Sequence, residues 1–273
     1  MYFKPEDLDR FEDVSLSLIK TELADKLLEI TLNRPEKRNA FTPTMIRELA
    51  FALEYAQRNS DIWNVIIKAE GPVFCAGMDL KVFKNPDLDQ LNPSLPVAEN
   101  DPNLGDIFRS FTKPSIACVE GNVYAGGFLI VAGCTFAVAS REVDFSLTEV
   151  QRGLFPMQVM GALLPIMPAR KVLELCLLAK TISAPEAHQL GLISHVSDGD
   201  VTDMARSLSA KLMENAPLAI HKGLEAYNWL RAVPEEEKFK FLAGELDKIR
   251  LSEDFAEGLK AFEEKRKPVW KNK

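Results

Sequence analysis

Cysteine is scarce in this 273-residue chain: four thiols, Cys75, Cys118, Cys134 and Cys176, with no C-x-x-C pair among them. That usage excludes a disulfide scaffold, and three of the four lie in apolar stretches that suit reduced, buried thiols. Histidine is scarcer still. His188, His195 and His221 stand at no ligand spacing, so no metal is expected. No apolar run approaches the ~20 residues of a membrane helix. The opening "MYFKPEDLDRFEDV" is mixed and acidic rather than basic-then-apolar, and the closing "KNK" is not a peroxisomal address. A cytoplasmic protein with no membrane contact is the expectation. An excess of positive charge is also lacking. The net charge of −7 argues against nucleic acid as a partner, and Lys265–Arg266–Lys267 is too short to be more than a solvated tail.

What the chain has is 47% hydrophobic composition, enough for one large domain or a domain with an appendage. Alternation in "VSLSLIK" (14–20) and in "LLEITL" (27–32) predicts two strands joined as a hairpin by the polar "TELADK". Thr42-Pro43 is an N-cap followed by a proline at the first helical position. A helix follows to about Arg58, with Ile46, Leu49, Ala50, Leu53 and Ala56 on one face. "WNVIIKAEG" (63–71) reads as a buried strand broken by glycine and proline. A second round repeats this outline: "SIACV" (115–119), a glycine turn, an apolar helix to about Gly133, then the strand "FAVAS" (136–140). Strands alternating with helices imply an α/β fold.

From Ala169 the pattern turns helical. Ser183 and Glu186 form a capping box, and long helices are expected near 201–214, 217–231, 235–250 and 253–265. The expected division is an α/β core over 1–200 and a helical region over 201–273. Residues 84–104 hold four prolines and few periodic apolar positions, which fits either a surface insertion or a lid over a ligand site.

Three stretches carry the chemistry. In "GPVFCAGMDLKVF" a strand ends in a turn of small residues, where a ligand can approach the backbone closely. In "CVEGNVYAGG" a strand gives way to a helix start at Gly126-Gly127, whose N–H groups lack partners and sit at the positive end of the helix dipole. In "DFSLTEVQRGLFP" Glu149 sits on an irregular apolar stretch. Amides from two such turns can converge on one oxygen as an oxyanion hole. A glycine pair alone means only close helix–strand packing; three pieces in this order point to a site.

These stretches, with "ITLNRPEKRNAF" and "TISAPEAHQLGLISHV", resemble the crotonase family, also called the enoyl-CoA hydratase/isomerase family, over residues 14–265. The resemblance implies a ClpP-like spiral of ββα units with a helical C-terminal trimerisation region, assembled as a homotrimer or a dimer of trimers. It implies acyl-CoA thioester substrates and no cofactor beyond the coenzyme A that the substrate carries. It assigns the oxyanion hole to the backbone amides of Met78 and Gly126. Arg38, Ala40, Ala76, Gly77, Asp79, Leu80, Gly127 and Leu129 would line the coenzyme and acyl path. Asp79 also suits a turn-fixing role through local backbone N–H groups.

Family members with two catalytic glutamates place one three residues after the oxyanion-hole glycine and the other twenty further on. Here those positions are Leu129 and Glu149. One acid is missing and one is kept. This resembles the family's Δ3,Δ2-enoyl-CoA isomerases, in which a single carboxylate takes a proton at C2 and returns it at C4. Apolar neighbours should raise the pKa of Glu149. Alternatives are a hydratase using Glu149 with water, with Glu99, Asp101 or Glu120 as a second acid, thioester hydrolysis or decarboxylation, and a non-catalytic acyl-CoA-binding oligomer. Met157-Gln158-Val159-Met160 replaces the family's usual glycine-rich turn, which would reshape the acyl pocket. Trp229 and Trp270 are expected at an interface, and Leu173, Cys176 and Leu177 in the core or a subunit contact.

Overall fold

A computed structural model describes residues 1–273. Ten strands form two sheets. The larger is ordered β1 (Ile19–Ala24), β2 (Leu27–Leu32), β3 (Asn64–Ala69), β5 (Ser115–Val119), β7 (Phe136–Ser140) and β10 (His195–Ser197). The smaller is ordered β4 (Val73–Cys75), β6 (Asn122–Tyr124), β8 (Asp144–Ser146) and β9 (Thr181–Ser183). Only β1–β2 and β8–β9 are antiparallel. Each turn of the chain lays one strand in the larger sheet and the next in the smaller one: β3 then β4, β5 then β6, β7 then β8. The result is a spiral of stacked ββα turns.

The helices are α1 (Pro5–Leu8), α2 (Pro43–Arg58), α3 (Leu80–Lys84), α4 (Leu104–Ser110), α5 (Phe128–Gly133), α6 (Met157–Leu163), α7 (Ala169–Leu178), α8 (Ala184–Gln189), α9 (Val201–Met213), α10 (Pro217–Leu230), α11 (Lys238–Arg250) and α12 (Glu253–Glu263). No helix is long and apolar enough to cross a membrane.

The central strands of the larger sheet, β3, β5 and β7, are buried on both faces, which is why they read as apolar runs. Side chains alternate between faces. Val65, Ile67, Ala117, Val119, Ala137 and Ala139 enter the main core, while Ile66, Ile116, Cys118 and Val138 form a second cluster with Val201 and Ala205. Helix α9, assigned by the sequence to the C-terminal region, therefore covers the outer face of this sheet.

The hairpin differs from expectation. The strand spans Ile19–Ala24 rather than 14–20, and the turn is only Asp25-Lys26, both at positive φ. A two-residue hairpin turn needs that conformation to match the strand twist, and Asp tolerates it. The residues ahead of β1 are instead held by a buried carboxylate. Glu48 of α2, fully buried, accepts from the N–H groups of Ser17 (2.9 Å), Leu18 (2.8 Å) and Ile19 (3.2 Å) and from the Ser17 hydroxyl (2.6 Å). It also accepts from the amide of Asn92 at 2.7 Å. One acid thus ties the N-terminal segment and the proline-rich 84–104 segment to the same helix.

Among the C-terminal elements, α11 buries no residue, and Phe239 and Leu246 on it lie open to solvent, as does Phe262 on α12. Trp229 is also exposed, but Trp270 is not left for an interface. Its indole N–H donates to the Glu214 carbonyl at 2.9 Å, and its ring packs on Gly258 of the same chain. On α7, Cys176 is core whereas Leu173 and Leu177 face outward.

Candidate active site

The smaller sheet sets the geometry. Cys75 of β4, Val123 of β6 and Phe145 of β8 lie level across three neighbouring parallel strands. Met78 follows three residues beyond Cys75, Gly126 three beyond Val123, and Glu149 four beyond Phe145. All three therefore leave the same edge of the sheet, at its C-terminal end. Glu149 is not on wholly irregular chain, as the sequence suggests. It opens a short 3-10 turn, Glu149–Arg152, directly after β8.

The first two turns touch. A Cβ on Gly77 would lie 2.8 Å from the Ala125 Cβ and 2.9 Å from the Gly126 nitrogen, and Gly77 itself has φ +82°. A Cβ on Gly126 would strike the Phe41 ring at 2.6 Å, and one on Gly127 the Cys75 carbonyl at 2.8 Å. The glycines are absent of side chains because two backbone turns and an aromatic ring occupy that space. Phe41 also pairs in parallel with Met78: its N–H donates to the Gly77 carbonyl at 2.9 Å, and its own carbonyl accepts from Asp79 at 3.0 Å. The Met78 N–H between them has no partner in the chain. Gly126 is the second residue of the 3-10 turn Ala125–Gly127 that leads into α5, a position whose N–H has no carbonyl behind it to meet.

The "EKRNAF" segment runs alongside. The Ala76 N–H donates to the Arg38 carbonyl at 3.0 Å. Arg38 and Asn39 are both left-handed, and Asn39, invisible to motif reading, is the anchor. Fully buried, its amide donates to the carbonyls of Glu70 and Val73, each at 2.8 Å, while its Oδ1 accepts from the Arg34 N–H at 2.8 Å. Asp79 caps α3 through the N–H groups of Lys81 and Val82 and pairs with Arg34 at 2.8 Å. Burial opposes its charge, but the Arg34 guanidinium and those amides hold its carboxyl below the usual range. Cys75 is inert: complete burial pushes its thiol up to about 12. Leu80 is exposed, at the mouth of α3.

Glu149 differs from Glu99, Asp101 and Glu120. Its Oε2 is buried with no hydrogen-bond partner, and burial raises its pKa. Arg152, the nearest cation, spends its guanidinium on the Thr148 hydroxyl (2.6 Å) and carbonyl. A cleft of about 310 Å³ opens beside Met78 and Leu129, walled by Phe41, Pro43, Ile46 and Leu104 and edged by Arg47, Asp101 and Gln158. Glu149 and Gly126 do not line that cleft. Of the three acids considered as replacements for the one lost at Leu129, only Asp101 does; Glu120 is exposed, and Glu99 is fixed by its N–H to the Tyr2 carbonyl at 2.8 Å. No group of three or more acid, histidine or cysteine side chains is arranged to hold a metal.

Residues 22–273 match the family model for enoyl-CoA hydratase/isomerase. The chain belongs to the enoyl-CoA hydratase/isomerase family. It is 36% identical over 250 residues to the enoyl-CoA hydratase EchA19 of Mycobacterium tuberculosis, covering 90% of this chain and 93% of that protein. It is 31% identical over 250 residues to the mevalonyl-coenzyme A hydratase sidH of Aspergillus fumigatus, covering 90% and 91%. A crystal structure of enoyl-CoA hydratase from M. tuberculosis superposes with a TM-score of 0.84 at 30% identity, covering 94% of this chain and 99% of that one. The chain is thus an acyl-CoA enzyme with the crotonase fold.

Proposed function

We propose that this enzyme moves a double bond, converting a 3-enoyl thioester to its 2-enoyl isomer through Glu149 alone. The observation that carries the proposal is the pairing of a buried, unpartnered Glu149 Oε2 with leucine at the position of the second acid. Glu149 takes the proton from C2. The C–H electron pair becomes the C1–C2 double bond of a dienolate, and the charge passes to the thioester oxygen. The Met78 and Gly126 amides hold that oxygen; one such donor contributes about 3–4 kcal/mol to a transition state. Collapse of the dienolate places the double bond between C2 and C3, and C4 takes its proton back from Glu149. No water is consumed, so no second acid is needed to activate one.

In this proposal Arg38, Ala40, Ala76, Gly77, Leu80 and Gly127 wall the coenzyme path, Leu129 faces the acyl chain, and Asp79 acts through Arg34 to keep the Met78 turn in place. The exposed apolar residues of α10–α12 supply the contacts of a homotrimer or a dimer of trimers.

Hydration is the second reading. The similar proteins are named hydratases, and Asp101 and Gln158 edge the cleft beside Leu129, where a water could be held. The test is a pair of assays on conjugated-thioester absorbance. Its growth from a 3-enoyl thioester supports isomerisation; its loss from a 2-enoyl thioester, with no growth in the first assay, supports hydration.

A further inference from the structure

The cleft beside Met78 is apolar along its walls and ionic at its rim. Pro43, Ile46 and Arg47 lie on one face of α2, and Arg47 pairs with Asp101 at 2.7 Å. These are the two charged side chains that line the cleft. They are not equivalent. The Arg47 side chain is 27% exposed and rooted in a long helix, whereas that of Asp101 is 86% exposed and belongs to the proline-rich segment. That segment is pinned on both sides of Asp101, by the Glu99 N–H on the Tyr2 carbonyl and by Asn103, which caps α4. The Asp101 carboxylate can therefore swing away while the backbone stays put. An ion pair so open to water contributes little by itself.

We infer that Arg47 recognises a carboxylate at the far end of the acyl chain, with Asp101 occupying that place until substrate arrives. A guanidinium presents a planar fork that a substrate carboxylate can meet with two hydrogen bonds. The apolar walls between Met78 and Arg47 suit a short methylene spacer, and a volume of about 310 Å³ is at the small end for ligand pockets. The substrate class is the mono-thioester of a short dicarboxylic acid. This deepens the acyl-CoA reading of the cleft and is independent of whether the chemistry is isomerisation or hydration.

The test uses unreactive saturated thioesters of equal carbon count in titration calorimetry: hexanoyl-CoA, adipoyl-CoA and 6-aminohexanoyl-CoA. The intact protein should bind adipoyl-CoA about tenfold to a hundredfold more tightly than hexanoyl-CoA. Arg47→Met should erase that preference by weakening adipoyl-CoA to the affinity of hexanoyl-CoA, and Asp101→Asn should sharpen it by removing the internal competitor. Equal affinities in the intact protein, or a preference that survives Arg47→Met, would overturn the inference. So would a preference for the aminohexanoyl thioester that disappears in Asp101→Asn, which would give recognition to the aspartate. Failure of all three thioesters to bind would refute the acyl-CoA reading of the cleft itself, a result separate from equal binding.

Discussion

The Cα of Gly77 and the backbone nitrogen of Gly126 stand so close that one methyl group on Gly77 would sit 2.9 Å from that nitrogen. The two turns proposed to hold the thioester oxygen are in direct contact, and their spacing is set by the absence of a side chain. Gly77→Ala should push them apart and force an L-residue into positive φ. Turnover should fall about a hundredfold to a thousandfold, the loss expected for one misaimed donor. The far-ultraviolet dichroism should remain that of the intact protein. Unchanged turnover would show that the two amides do not act on one atom.

Glu149 links chemistry to stability. Its folded pKa is raised by burial, so the folded chain binds that proton more tightly than the unfolded chain. Stability must then fall as pH rises from the unfolded pKa through the raised folded value. Glu149→Gln should be inactive yet melt at a higher temperature than the intact protein at neutral pH, and the difference should vanish below the ordinary carboxylate range. The acidic limb of kcat/KM should likewise lie above that range. Melting curves and rates across pH check both.

Glu48 is the fold's buried knot. Glu48→Ala strands three N–H groups and removes the tie between Asn92 and α2. The expected cost is about 3 kcal/mol or more. That corresponds to a lowering of Tm by roughly 6–12 °C for a chain of this size. Glu48→Gln should fall between. A Tm within a degree of the intact protein would mean that water replaces the carboxylate at no cost.

The open apolar face of α11 should be covered by another copy of the chain. Phe239→Glu combined with Leu246→Glu should convert the assembly to monomers, measured by sedimentation at matched concentrations. An intact protein that sediments as a monomer would contradict this expectation.

The long elements were legible because their signals are long. Helix α2 announces itself by Thr42-Pro43 and sixteen residues of periodicity, and β3, β5 and β7 by runs of β-rich apolar residues. The smaller sheet was not legible. Its strands are three residues each, too short for any alternation to register, and Gly71-Pro72 reads as an ending although β4 begins just after it. Yet that sheet is what brings Met78, Gly126 and Glu149 to one edge. The sequence could single out Met78, Gly126 and Glu149 by motif as candidates, but their juxtaposition lies in strand register. Asn39, Glu48 and the Arg34–Asp79 pair were hidden for a related reason. Each works through partners tens of residues away, and nothing local marks a polar residue as buried and satisfied.

The most direct measurement of the central claim follows hydrogen rather than light. A 3-enoyl-CoA is incubated in deuterated water with the intact enzyme and with Glu149→Gln, and the product is read by mass and by nuclear magnetic resonance. Transfer through a single glutamate predicts a 2-enoyl thioester with no added oxygen, any deuterium residing at C4, and no product from the variant. Formation of no 2-enoyl thioester by the intact enzyme, or product formation that persists in Glu149→Gln, would contradict it.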